Sequence, residues 1–245
     1  MVTHEAWLTK LFNAWFAGLG NSLLALFNQK AENPAEPWAD FMVMQILVAV
    51  ILIAVFAVLR SRLSVDKPGK LQHVFELIHG FVGGEAEGQI GHDAHRHTLL
   101  LETLFIFLLL ANLIGIVPGF VSPTQVIYVP AGCAVLAFLY FNIVGIQKHG
   151  FGKYMAHFAG PIWWMAPLMI PIEIIGALAR PLSLSVRLFA NMYAGEQVTL
   201  VFLSMTYLVA PALFMGLHVF VSLLQAYIFV LLTMIYVAGA VEEAH

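Results

Sequence analysis

The chain has few charged side chains: Asp, Glu, Lys and Arg together make up 10% of its 245 residues, and its net charge at neutral pH is -3. A soluble domain carries about 25% charged residues. Hydrophobic residues make up 61% of the chain, and its mean hydropathy is +0.88. These values indicate an integral membrane protein, and the small net charge argues against a nucleic-acid partner.

Cysteine is nearly absent. The single residue, Cys133, lies in an apolar run, where it cannot form an internal disulfide and belongs to no metal-binding motif, so we interpret it as a packing residue. The start of the chain lacks the pattern of a signal peptide, because the apolar run after Lys10 is broken and no small-residue cleavage site follows. Apolar side chains there share one helical face, which predicts a helix in the membrane interface with aromatic anchors: Trp7, Leu8, Leu11, Phe12, Trp15, Phe16 and Leu19.

Long hydrophobic runs are abundant, and a membrane-spanning helix needs about 20 mostly apolar residues. The runs predict an all-α polytopic membrane protein with about five transmembrane helices, at 41–60, 99–119, 126–146, 162–206 and 208–240. As one helix, residues 165–206 would measure about 63 Å, against a hydrocarbon core of about 30 Å. This segment is therefore steeply tilted, broken or split in two, and its first half contains three prolines able to bend it.

Basic residues predict the orientation, because loops rich in Lys and Arg stay in the cytoplasm. Such residues follow the first and third spans, whereas the loop "GFVSPTQ" after the second span has no charge. With five spans, every basic loop falls on one side. This places residues 1–40 outside and the loops 61–98 and 147–161 and the tail 241–245 in the cytoplasm. Splitting the long segment would move the tail outside, and five spans are the preferred interpretation.

The cytoplasmic loop 61–98 contains a second amphipathic pattern, which predicts a short surface helix with one apolar face: Leu71, Val74, Phe75, Ile78 and Phe81. We expect this helix to end in the polar, glycine-containing loop "GGEAEGQIGHDAHRH". His92, His95 and His97, with Asp93, are suitable metal ligands. A solvated histidine-rich loop is the simpler interpretation, and no metal site is predicted.

Polar side chains stand out within the apolar C-terminal half: Glu173, Arg180, Arg187, Asn191, Glu196, Gln197, His218 and Gln225. A charge at the bilayer centre costs about 2.5 kcal/mol or more, so such residues usually mark an ion or substrate path. A single amide or histidine often only joins two helices, and Arg180 is placed to extend to the interface. Arg187 lies deeper, stays charged, and needs water or a carboxylate opposite it.

Helical geometry relates these residues to one another. At about 100° per residue, Glu173 and Arg187 share a face about 21 Å apart, and Asn191 follows Arg187 by one turn. Glu196 points about 180° away from Arg187, so it requires either a distortion near Gly195 or a separate polar pocket. No acidic residue lies level with Arg187 on its face, which suggests a partner in another subunit.

An antiparallel hairpin of the last two long segments, with its turn close to 206–207, would bring their polar residues level. Arg187 would lie beside Gln225, and Glu196 beside His218. Such pairing is what polar groups in lipid require. We therefore expect an acid–base pair of Glu196 and His218 near the outer face, with Gln225 beside Arg187 at mid-membrane.

Two stretches, "PIEIIGALARPLSLSVRLFANMYAGE" and "HVFVSLLQAYIFVLLTMIY", closely resemble the a-subunit of the membrane sector of F-type ATP synthases. This is an extended pattern rather than a short motif. Further likeness lies upstream in "TLFIFLLLANLIGIVPG", "SPT" and "HFAGP", so the resemblance runs from about residue 99 to the end of the chain.

The resemblance implies roles for the polar residues. Arg187 matches the family's essential arginine, which faces a carboxylate on the rotating ring of c-subunits. Glu173 matches a position that lines the half-channel to the cytoplasm. Four residues match polar positions associated with the half-channel from the outer face: Asn191, Glu196, His218 and Gln225.

The function implied is that of the static proton-translocating subunit, which provides two offset half-channels to the ring. A proton crosses only by neutralising a ring carboxylate, which then rotates through lipid. The implied partners are the c-ring, the peripheral-stalk b-subunits and the rest of the complex, in a bacterial plasma (inner) membrane. No catalytic site and no cofactor are expected, since the sequence lacks a phosphate-binding glycine-rich loop.

Two other classes of membrane protein also carry charged residues within their spans. In a secondary transporter or self-contained ion channel, charged residues also line a path between helices, but the sequence shows no evident internal repeat. A membrane-embedded enzyme is disfavoured because no paired metal-ligand motif lies in the spans. Protons are the default ion, although the ring would make most of that choice.

Overall fold

The computed structural model describes residues 7–26, 33–64, 67–91, 93–117, 119–150, 152, 166–205 and 209–241. Within these ranges the chain forms seven α-helices: α1 (Trp7–Leu26), α2 (Asp40–Ser61), α3 (Lys70–Ile90), α4 (His95–Leu113), α5 (Tyr128–His149), α6 (Ala166–Met205) and α7 (Val209–Val241). Two short 3-10 turns, Ile114–Ile116 and Pro123–Gln125, lie between α4 and α5. The second is called the Pro123 turn below.

Five of these helices, α2, α4, α5, α6 and α7, are long and apolar enough to cross a membrane. The predicted all-α polytopic fold with five spans is therefore confirmed. The helix ends differ by a few residues from those predicted. For example, α4 begins at His95, four residues earlier than expected, because His97 and Thr98 are buried in the bundle rather than in solvent.

The long fourth span is one helix rather than two. α6 runs for 40 residues without interruption, and Pro171 and Pro181 lie inside it. Its length is about 60 Å, twice the hydrocarbon core, so it cannot stand along the bilayer normal. Residues 162–165 of the predicted segment fall outside the described residues.

The last two helices pack as an antiparallel hairpin. Gly195 of α6 contacts His218 of α7, whereas Asn191, one turn earlier in α6, contacts Gln225, two turns later in α7. The connection therefore lies between the end of α6 and the start of α7, where the sequence predicted the turn. Residues 206–208 themselves are outside the described part of the chain.

The main hydrophobic core forms where α4, α6 and α7 meet, with α2, α3 and α5 around them. Its largest fully buried side chains include Leu101 and Leu108 of α4, Leu188 of α6 and Phe229 of α7. These residues fix the positions of the helices that carry the polar groups.

The amphipathic helix α3 is longer than predicted. The stretch from Gly83 was expected to be a polar loop, but it stays helical to Ile90, and the helix ends at Gly91 with a φ of 81°. Val82 and Ala86 are buried against the bundle. Packing of this face therefore outweighs the helix-weakening effect of the glycines.

The histidine-rich segment is divided between helix and connection. His95 and His97 belong to the first turn of α4, and His92 is outside the described residues. The His97 Nδ1 atom lies 2.7 Å from the Tyr140 hydroxyl of α5. Among the described residues, no group of three His, Cys, Asp or Glu side chains could hold a metal ion.

The first helix turns its polar side toward the protein. Asn13 of α1 is buried and exchanges two hydrogen bonds of 3.1 Å with the backbone N–H and C=O of Trp38. A stripe of large apolar side chains points outward: Trp7, Leu11, Trp15, Leu19, Leu23 and Leu26. An outward apolar stripe is what a helix lying against lipid needs.

Candidate functional site

The predicted site residues of α6 lie along two edges of its buried face. Leu184, Leu188 and Met192 form the buried face and pack into the bundle. Arg187 lies along one edge and is exposed. Glu196 is partly buried and lies along the other edge, about 180° around the helix axis from Arg187. The helix is continuous through Gly195, so this angular separation is not reduced by a local distortion.

Arg187 projects from an exposed surface of α6. Ser183, Ala190 and Asn191, three or four positions away on the same side of the helix, are exposed as well. Within the described chain, no carboxylate forms an ion pair with Arg187. A guanidinium on a membrane-spanning helix needs an opposite charge or water.

Asn191 and Gln225 join α6 to α7. The Asn191 Nδ2 atom donates a 2.7 Å hydrogen bond to Gln225 Oε1. Gln225 is almost fully buried, and its Nε2 atom has no hydrogen-bond partner among the described residues. The sequence placed Gln225 level with Arg187, so the observed register differs by one helical turn along α6.

His218 of α7 packs directly on the backbone of α6. A Cβ atom at position 195 would lie 3.1 Å from the His218 Nδ1 atom, so the close approach depends on Gly195. The imidazole packs against Gly195, and its buried Nε2 atom has no hydrogen-bond partner within the described part of the chain. The ring thus fills the space between the two helices.

The predicted acid–base pair of Glu196 and His218 is wrong. The Glu196 carboxylate lies instead against the side chain of Gln125 in the Pro123 turn, and with its amide nitrogen facing Glu196, Gln125 donates to both carboxylate oxygens. The reason is the angular position of Glu196, which turns its side chain away from α7 and toward the turn. Sequence reasoning missed Gln125 because it lies in an uncharged loop.

A buried polar network holds the Pro123 turn. The Thr124 hydroxyl donates to Asn112 Oδ1 at 2.7 Å, and Asn112 Nδ2 donates to the Ser222 carbonyl of α7 at 3.2 Å. The Ser122 hydroxyl donates to the Ala111 carbonyl at 2.9 Å and lies 2.8 Å from the Thr124 hydroxyl. Asn112, Ser122 and Thr124 are each at most 1% exposed. The turn is therefore fixed to both α4 and α7.

Glu173 is paired within its own helix. The Arg180 Nη2 atom lies 3.7 Å from Glu173 Oε1, and the Arg180 guanidinium lies 5.5 Å from the centroid of the Tyr236 ring in α7. The extension of Arg180 to the interface stays a prediction, and the structure adds that Arg180 lies beside Glu173. Glu173, Arg180 and Arg187 are spaced seven residues apart, so they follow one edge of α6.

This arrangement of an exposed arginine and two separate polar groups on one long helix agrees with the family pattern seen in the sequence. The chain matches the family described as ATP synthase A chain over residues 42–238. The chain belongs to this family. The resemblance predicted from the sequence is confirmed, and the chain is a subunit of the membrane sector of ATP synthase, with a role in proton transport and ATP synthesis.

Proteins named ATP synthase subunit a are similar over nearly the whole chain. The protein from Solibacter usitatus is 61% identical over 96% of this chain and 100% of its own length. The protein from Koribacter versatilis is 41% identical over 99% of both chains. The protein from Geobacter sulfurreducens is 44% identical over 86% of this chain and 91% of its own length.

Proposed function

We propose that the chain is the static proton-translocating subunit of an F-type ATP synthase, which supplies two offset half-channels to a ring of c-subunits. Proton flow through them is coupled to ring rotation and ATP synthesis. The chemistry of ATP takes place in other subunits. The observation that carries this proposal is Arg187, exposed on a membrane-spanning helix without an ion pair among the described residues.

An exposed guanidinium in lipid is too costly to be left without an opposite charge. A carboxylate on a moving ring meets this need, and the positive charge favours release of the carboxylate's proton as it approaches. The same charge repels a proton that would pass directly from one half-channel to the other. Arg187 would therefore separate the two half-channels and discharge the ring.

The outer half-channel is assigned to the space between α6, α7 and the Pro123 turn. Glu196 and His218 lie on either side of Gly195 here, and Asn191 and Gln225 lie further along the hairpin. Buried nitrogen atoms need hydrogen-bond partners. Water entering such a half-channel would satisfy the His218 and Gln225 Nε2 atoms, which have no partner among the described residues.

The inner half-channel is assigned to the other end of α6, where Glu173 is partly exposed beside Arg180. Along the helix, Arg187 lies between this end and Glu196. A carboxylate near the mouth of a channel attracts protons.

The proposed location is a bacterial plasma membrane, with the N-terminus outside and the C-terminus in the cytoplasm. The ring, the peripheral-stalk b-subunits and the rest of the complex are the proposed partners. One position before α2 and one at its end test the orientation in a Cys133→Ala background. An impermeant thiol reagent applied to intact cells should label Ala35→Cys but not Ser61→Cys, both of which replace exposed residues. The opposite labelling would reverse the assigned topology.

ATP-driven proton pumping by inverted membrane vesicles tests the proposed function. Arg187→Ala should assemble but pump no protons, because nothing then discharges the ring carboxylate. Arg62→Ala, at the exposed end of α2, should pump normally. Normal pumping by Arg187→Ala would contradict the proposal. Proton conduction by the purified chain alone in vesicles would favour a self-contained channel.

A further inference from the structure

We propose that Gln125 is a positioning residue for Glu196, and that it holds the carboxyl group on the Pro123-turn side of α6 whether or not the group carries a proton. The inference rests on the proposed function, in which Glu196 belongs to the outer half-channel. It assigns a role to a residue that the sequence pattern did not single out. It also means that Glu196 has Gln125, and not His218, as its partner.

The first observation is the contact itself. The Gln125 amide faces both oxygen atoms of the Glu196 carboxylate, with a nitrogen–oxygen distance of 3.2 Å to Oε1. His218, the expected partner, packs against Gly195, and no ion pair joins it to Glu196 in the described part of the chain. The contact with the Glu196 carboxylate therefore comes from the Pro123 turn, and not from α7 as the hairpin predicted.

The second observation is that the backbone around Gln125 is held in place by hydrogen bonds. Its backbone N–H donates to the Ser122 carbonyl at 3.2 Å, and the neighbouring Thr124 is fully buried and bonded to Asn112. The network continues to the Ser222 carbonyl of α7. The amide of Gln125 is thus presented from a turn that is held by two helices, so it is preorganised to receive Glu196.

The chemistry of an amide explains why glutamine suits this position. Its NH2 group donates to an ionised carboxylate, and its carbonyl oxygen accepts from a protonated carboxyl group after the amide turns by half a rotation. The Glu196 side chain therefore keeps its place in both protonation states. A lysine or arginine at position 125 would instead hold the ionised form tightly, which opposes turnover.

A set of substitutions tests this role, with passive proton conduction of the membrane sector in vesicles as the readout. Gln125→Met keeps the length and removes both hydrogen-bonding functions. We expect conduction to fall about tenfold, the factor that accompanies loss of a hydrogen bond to a charged group. Gln147→Met makes the same change near the C-terminal end of α5, away from the Pro123 turn, and should conduct normally.

The decisive variant exchanges the two groups. Glu196→Gln alone should conduct poorly, and Gln125→Glu alone places two carboxyl groups in contact. The double variant Gln125→Glu, Glu196→Gln restores the amide–carboxyl pair with its members reversed, and it should conduct at least about fivefold better than Glu196→Gln alone. A purely structural role of Gln125 predicts no such rescue.

Each outcome bears on the proposal. Normal conduction by assembled Gln125→Met would overturn it, and so would a double variant no better than Glu196→Gln. If Gln125→Met fails to assemble, the exchange alone decides. Failure of the proposed function is recognised separately, because it requires Arg187→Ala to pump normally whatever the Gln125 variants do.

Discussion

Arg187 and Glu196 are charged residues of the same helix, nine positions apart, but their surroundings differ completely. The edge of α6 that carries Arg187 is exposed, and no ion pair joins Arg187 to a carboxylate in the described part of the chain. The edge that carries Glu196 is closed by the Pro123 turn, which brings an amide to the carboxylate. Glu196 is contacted by the chain's own residues, whereas the proposed function assigns Arg187 a partner in another subunit. Substitutions should therefore disturb the two edges in different ways.

The largest effect is expected at the open edge. Arg187→Lys should reduce ATP-driven pumping by more than about tenfold, because a compact ammonium group does not reproduce the planar guanidinium and its several donors. Arg62→Lys is the matched control. Pumping by Arg187→Lys within twofold of wild type would mean that positive charge alone is needed at this edge.

A large effect is also expected where α6 meets α7. Gly195→Ala places a methyl group 3.1 Å from the His218 ring, and overpacking of this kind costs about 1–3 kcal/mol. Gly176→Ala, in the same helix, meets nothing within 4 Å and should leave stability unchanged or raise it. Thermal unfolding of the purified complex measures both. Equal unfolding temperatures for the two variants would show that the His218 contact does not constrain the hairpin.

A smaller effect is expected for the amide pair across the hairpin. Asn191→Leu and Gln225→Leu should each lower stability by about 1 kcal/mol or more, because each leaves a polar partner without its bond. The double variant should cost less than the sum of the two. Additive losses in the same unfolding assay would indicate that the 2.7 Å hydrogen bond contributes little.

The smallest effect is expected at Arg180. Its contact with Glu173 is partly exposed, and such pairs are worth about 1 kcal/mol or less. Arg180→Gln should therefore change unfolding by little. Glu173→Gln should match it in stability but slow pumping, since Glu173 is assigned to the inner half-channel. Equal pumping by both variants would remove Glu173 from the path.

Periodicity and length in the sequence were sufficient to predict the five spans and the antiparallel hairpin, because hydrophobic segments in lipid leave few alternatives. The phase of Glu196 relative to Arg187 was also predictable, since α6 is a continuous helix between these two residues. What the sequence did not show was which element fills the space beside Glu196. That contact is made by Gln125, far away in the chain and in a loop without charge. The continuation of α3 beyond Gly83 was missed for a similar reason, because buried contacts decide it.

The length of α6 has a geometric consequence for the path of the proton. If the helix of about 60 Å stays straight and within a core of about 30 Å, it is inclined by about 60° to the membrane normal. Each residue then adds about 0.75 Å of depth and about 1.3 Å of lateral displacement. Over the 23 positions from Glu173 to Glu196, this amounts to about 17 Å in depth and about 30 Å sideways. The number of residues between Glu173 and Glu196 therefore sets the lateral distance between the two proposed entrances.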